Sequence, residues 1–145
     1  MTKSEARDAG KRAARRILVV DDDPHHNKIV ADLLDHEGYE VQTALSTKSA
    51  VSVHWNFRPH LVVLDIMMPK FDGYTACDVF RQVHPELPIV MLSAKDRSDD
   101  IKEAVDWGAD FYLTKPFDPD ELLRVVKRLL DERQTAIEES NGADG

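Results

Sequence analysis

At 145 residues the chain is long enough for one ordinary domain with a real core and too short for two of typical size. Its 27 acidic residues against 19 basic ones leave a net charge of −8, which argues against a protein that grips nucleic-acid phosphates, since that affinity rests on Lys and Arg. Cys77 is the only cysteine, so no intramolecular disulfide and no cysteine-based zinc site can form, and a reducing compartment fits best.

The charge is uneven along the chain. Lys3, Arg7, Lys11, Arg12, Arg15 and Arg16 face only Glu5 and Asp8 near the start, so the body is more acidic than the total. Residues 1–15 read as a basic, flexible, solvated tail. No apolar run of the signal-peptide kind opens the sequence and no stretch is long enough to cross a bilayer, which predicts a cytoplasmic protein with no membrane partner.

The first strand is predicted over Ile17–Val20 and runs into Asp21-Asp22-Asp23. Asp23-Pro24 is a helix cap followed by proline at the first helical position, and Ile29, Val30, Leu33 and Leu34 keep helical spacing up to Gly38. Glu40–Ala44, "EVQTA", alternates and suits an edge strand. A helix carrying Ala50, Val51 and Trp55 follows. His60–Leu64 is an almost unbroken apolar run that ends on Asp65. Asp72-Gly73 makes a turn into a helix with Ala76, Phe80 and Val83, and places Cys77 on its apolar side as a structural residue. Pro88–Leu92 is the fourth strand and leads to Ser93. Ile101, Ala104 and Val105 mark a fourth helix, stopped by Gly108. Phe111–Thr114 is the fifth strand, followed by Lys115-Pro116. Asp118-Pro119-Asp120-Glu121 caps a last helix through Leu122, Val125, Val126, Leu129 and Leu130, which is expected to reach Glu139 before fraying.

Five strand-helix units predict an α/β fold: a doubly wound, parallel, five-stranded sheet in the order 2-1-3-4-5 with helices on both faces. Such sheets bind ligands at the carboxyl ends of their strands. There the fold would gather Asp21, Asp22, Asp65, Ser93 and Lys115, which are scattered in sequence. Clustered carboxylates repel, and a hard divalent cation is the simplest reason for the cluster. Mg²⁺ takes oxygen ligands and keeps several waters, with Asp22 and Asp65 as ligands and Asp21 acting directly or through water. Asp65 could then attack phosphorus to form an acyl phosphate, with Lys115 neutralising the phosphoryl oxygens and Ser93 donating a hydrogen bond to one of them.

The set "ILVVDDDP", "LVVLDIMMPKFDGY", "PIVMLSAKD" and "GADFYLTKPF" resembles the receiver domain of bacterial two-component response regulators over roughly Arg16 to Arg133. The resemblance implies a flavodoxin-like receiver fold over residues 16–133, with 134–145 as a polar C-terminal tail or linker. It implies Asp65 as phosphoacceptor, Asp21 and Asp22 as the Mg²⁺-holding pair, the second being the direct ligand, and Met67 as a backbone-carbonyl ligand; Mn²⁺ would substitute for Mg²⁺. Ser93 would be the switch hydroxyl, Tyr112 the aromatic switch, Lys115 the phosphoryl-pairing lysine and Lys115-Pro116 a cis peptide. The implied role is a phosphorylation switch fed by a histidine kinase or phosphotransfer protein. It would alter the surface made by the fourth helix, the fifth strand and the last helix to control an effector protein or an output domain. On this resemblance it would catalyse its own phosphorylation and dephosphorylation without being a turnover enzyme.

A phosphohydrolase with an aspartyl nucleophile needs a second acid two residues on, where this chain has Met67. A dinucleotide-binding domain lacks its glycine-rich loop, and "DDDP" would repel a pyrophosphate. His25 and His26 sit near the acids, but they open a helix and Mg²⁺ prefers oxygen, so neither is expected as a ligand. His54, His60 and His84 read as surface or satisfied core residues. Met67, Met68 and Lys95 lie above the site, where they would tune the lifetime of the acyl phosphate. Phe111 replaces the second acid of "GAD-D" regulators, which weakens the ion pairs of one homodimer mode and leaves a homodimer open. A stand-alone receiver and a piece of a longer regulator or hybrid kinase are both consistent with the polar end. No direct nucleic-acid binding by this segment is expected.

Overall fold

The computed structural model describes residues 15–65, 73–93 and 108–143. In chain order these form β1 (Arg16–Val20), α1 (Pro24–His36), β2 (Glu40–Ala44), α2 (Thr47–Phe57), β3 (Leu61–Asp65), α3 (Gly73–Val83), β4 (Ile89–Ser93), β5 (Phe111–Thr114) and α4 (Pro119–Ala143). The five strands make one sheet in the order β2-β1-β3-β4-β5, and every pairing is parallel. The sheet order and the strand positions bear out the sequence reading. The expected fourth helix around Ile101–Val105 lies outside the described residues.

Alternation along the strands builds two cores, because successive side chains leave a strand on opposite faces. Leu18, Val20, Val62, Leu64, Ile89 and Met91 face one side, where Ala50 of α2 and Ala76, Cys77 and Phe80 of α3 close over them. Ile17, Val19, Leu61, Val63, Val90, Leu92 and Leu113 face the other, under Val30 and Leu34 of α1 and Leu122, Val125, Val126, Leu129 and Leu130 of α4. With both faces covered, the central strands must be apolar throughout, which is why β1, β3 and β4 read as unbroken runs. β2 is the edge strand and is mostly exposed.

The expected strand bounds shift by one residue in three strands: β1 starts one residue earlier, at Arg16, and β3 and β4 start and end one residue later. His60 precedes β3 rather than opening it: its imidazole Nδ1 accepts from Arg16 N at 2.8 Å, and its own N–H donates to Arg16 O at 2.7 Å. Pro88 precedes β4, lacking an N–H for the ladder, although its carbonyl accepts from Val62 N at 3.0 Å. Two apolar positions of the predicted helical stripes lie outside: Ile29 is 53% and Trp55 54% exposed. The last helix continues to Ala143, past the expected end at Glu139. Nothing before Gly142 interrupts it, and Gln134 Nε2 donates to Glu138 Oε1 one turn on at 3.0 Å.

The amino edge of the sheet is tied by arginines. Arg81 on α3 donates through Nε to Gly108 O at 2.9 Å, pairs with Asp110 at 2.7 Å, and also reaches the Pro85 and Leu87 carbonyls. Gly108 adopts φ +92°, and a Cβ there would come within 3.2 Å of Arg81 Nε, so the glycine both turns the chain and makes room for the arginine.

Candidate functional site

The carboxyl edge collects its residues by parity. Asp21 continues the Ile17-Val19 series of β1, Asp65 the Leu61-Val63 series of β3, and Lys115 follows Leu113 of β5 by two. All three therefore belong to the α1–α4 face. Ser93 ends β4 in register with Thr114, the residue before Lys115.

Helix α1 closes the pocket from above. Asp23 is its N-cap, with an extended backbone and a side chain that accepts from His25 N at 3.0 Å and His26 N at 3.4 Å, and Pro24 fills the first helical position. Asn27, one residue further, is buried and fixes the helix to the sheet, donating through Nδ2 to Ala44 O at 3.0 Å. Asp23 N donates to Asp21 Oδ1 at 3.0 Å. The cap thus orients the acid that precedes it.

Asp21 and Asp65 are 3% and 4% exposed. Burial, with a contribution from the Asp65 charge, raises the Asp21 pKa, while hydrogen bonds from Asp23 N and His26 oppose the rise. Lys115 Nζ pairs closely with Asp65 Oδ2. His26 Nδ1 pairs closely with Asp21 Oδ2, lies 3.4 Å from Asp65 Oδ2 and 3.5 Å from Lys115 Nζ. Asp22, predicted as the direct metal ligand, has the opposite parity, is half-buried, and is not one of the residues whose ligand atoms converge here.

Ligand atoms of Asp21, His26 and Asp65 all lie within 4.8 Å of one another, a grouping able to hold a metal ion. The oxygen donors, the burial and the raised Asp21 pKa fit a hard divalent cation. Of the remaining predicted site residues, Met67 and Lys95 lie outside the described residues. Tyr112 is half-buried against the opposite, α2–α3 core, and the Lys115–Pro116 peptide is cis.

A family model for the response regulator receiver domain matches residues 17–127, which span all of these positions. The chain belongs to the receiver domains of two-component response regulators. Among curated proteins it is 40% identical over 117 residues to the DNA-binding dual master transcriptional regulator RpaA of Synechocystis, covering 79% of this chain and 48% of that one. It is 39% identical over 126 residues to the alkaline phosphatase synthesis transcriptional regulatory protein PhoP of Bacillus subtilis, covering 87% of this chain and 52% of that one. The chain thus spans about half the length of the curated relatives it matches. A crystal structure of a CheY-like receiver domain protein from Methanospirillum hungatei superposes with a TM-score of 0.78 at 28% identity, over 85% of this chain and 98% of that one.

His26 is the site residue that sequence reasoning set aside. The signal was present: His26, Val30 and Leu34 recur every four residues and share the inward face of α1, whereas His25 is exposed. Among the described histidines only His54 is fully buried, and it packs edge-on against the Trp55, Phe80 and His84 rings, with its Nε2 3.1 Å from His84 Nδ1. Phe111 carries the Arg128 guanidinium 5.2 Å above its ring, so its half-buried face is covered by its own chain.

Proposed function

We propose that this receiver takes a phosphoryl group onto Asp65 from a histidine kinase or phosphotransfer protein and so switches a partner or output domain. The observation that carries this reading is the Asp65 carboxylate, buried against Asp21 and paired with Lys115 at the carboxyl edge of the sheet. An Asp65 oxygen attacks phosphorus, the bond from phosphorus to the donor's imidazole nitrogen breaks, and the electron pair leaves with that imidazole. Lys115 neutralises charge on the phosphoryl oxygens. Asp21, Asp22 and Asp65, with the Met67 carbonyl, would hold Mg²⁺, for which Mn²⁺ substitutes. When bound, such an ion supplies charge neutralisation for the incoming phosphoryl group. Ser93 donates to a phosphoryl oxygen, and its movement frees space for Tyr112 to turn inward, altering the surface around β5 and α4.

The protein changes its own covalent state and does not turn over a separate substrate. We take residues 16–133 as the receiver; at its borders the Arg15 carbonyl accepts from Glu40 N at 3.0 Å, and Arg15 Nη1 donates to Gln134 Oε1 at 3.1 Å. The switch acts in the cytoplasm, and no described helix is long and apolar enough to cross a membrane.

Incubation with acetyl phosphate and Mg²⁺, followed by intact mass measurement, tests this. One phosphoryl group per chain, dependent on the cation, is expected. Sustained hydrolysis of phosphomonoesters without a stoichiometric adduct would instead favour a phosphohydrolase.

A further inference from the structure

We infer that His26 gives the cation site a nitrogen donor, so that this receiver takes imidazole-preferring divalent transition ions, of the Zn²⁺ or Co²⁺ kind, in competition with Mg²⁺. The inference rests on the reading of the pocket as a cation site and goes beyond it in the choice of ion.

The geometry of the ring carries it. The imidazole is held on the first turn of α1, whose backbone is fixed by the Asp23 cap and by the bond from Asn27 Nδ2 to Ala44 O. Its Nδ1, not its carbon edge, is the atom turned to Asp21 and Asp65. The three side chains supply one nitrogen and two oxygens whose ligand atoms lie within 4.8 Å of one another. Three protein ligands of this kind with one open position are what Zn²⁺ accepts at reactive sites. Mg²⁺ has little use for imidazole, whereas Zn²⁺, Ni²⁺ and Cu²⁺ bind it well. An imidazole ligand adds to the preference that an oxygen-lined pocket already has for such ions over Mg²⁺.

His26 also stands near enough to Asp21 to act as a simple counter-ion, and the two roles predict different outcomes. Removal of a counter-ion changes the affinity for every dication in the same direction. Removal of a ligand weakens Zn²⁺ and leaves Mg²⁺ nearly alone. Isothermal titration of the full chain with ZnCl₂ and with MgCl₂ separates them, applied to wild type, His26→Leu, His26→Gln and His25→Leu, with circular dichroism to verify folding. The Kd for Zn²⁺ should rise at least about tenfold in both His26 variants, the loss that even outer-shell partners of a metal can cause, while that for Mg²⁺ stays within about threefold. His25→Leu should match wild type. Unchanged Zn²⁺ affinity in the His26 variants, parallel shifts for both ions, or an equal loss in His25→Leu would overturn the inference. If Mg²⁺ binding and the Asp65 adduct persist in wild type while Zn²⁺ ignores His26, only this inference falls. If Mg²⁺ binding and the adduct are both absent in wild type, the cation-site reading falls with it.

Discussion

The two edges of the sheet both carry polar groups and use them in opposite ways. At the amino edge three arginines are consumed by their own chain. Arg81 spends its donors on Gly108, Pro85, Leu87 and Asp110, Arg16 Nε reaches the Phe57 and Arg58 carbonyls at 2.9 and 3.0 Å, and Arg133 reaches His60 O at 3.1 Å. These bonds close loops and helix ends, and they leave little for a ligand. At the carboxyl edge two buried acids are pressed together, with Lys115 and His26 beside them. Polar groups that satisfy the backbone hold a fold together, whereas like charges gathered against their mutual repulsion mark a place where a ligand is needed.

That contrast can be broken by moving an effect from one edge to the other. Lys115→Ala should slow phosphorylation by acetyl phosphate by about a hundredfold while the urea unfolding midpoint stays close to wild type. A large stability loss would place Lys115 among the structural cations. Arg81→Ala should do the reverse, costing about 2–4 kcal/mol in urea denaturation because several carbonyls lose their donors, with the adduct still forming in the folded fraction.

The histidines of the amino edge sharpen the comparison by pH. Burial and the neighbouring Arg16, Arg15 and Arg133 charges push the His60 pKa down from 6.5 to about 4. The folded state therefore keeps the ring neutral where the unfolded chain would protonate it. His60 contributes full stability above pH 6.5, and that contribution is lost progressively as the pH falls through the folded value near 4. After allowance for its partial exposure the loss is on the order of 1–2 kcal/mol. Replacement by asparagine, whose amide oxygen still accepts from Arg16 N, should flatten the stability profile over that range. The smallest effect belongs to the cap: Asp23→Ala should cost about 1 kcal/mol and loosen the first turn of α1.

Most of the fold was legible because the signals were local and redundant. Asp23-Pro24 announced α1, Gly38 and Gly108 punctuated chain turns that adopt φ of +100° and +92°, and apolar runs fixed the central strands. The convergence of Asp21, Asp65 and Lys115 was also readable, since it follows from parallel strands ending on one edge. What escaped depends on relations that no short window contains. Arg81 looks like a solvated residue of α3 until Gly108 and Asp110, just before β5, arrive beside it. His26 looks like a helix opener until Val30 and Leu34 show which face is buried. Trp55, an apolar residue in a helical stripe, remains half exposed because Ala50, His54 and Phe57 take the inward positions of α2.

The central claim is that one of these buried acids, Asp65, accepts the phosphoryl group. Peptide mapping after reaction with acetyl phosphate and Mg²⁺ tests it most directly. The account predicts a single acyl phosphate on the peptide containing Asp65, absent from the Asp65→Asn variant. An adduct on Asp21 or Asp22 in the wild type, or undiminished labelling of Asp65→Asn, would contradict it.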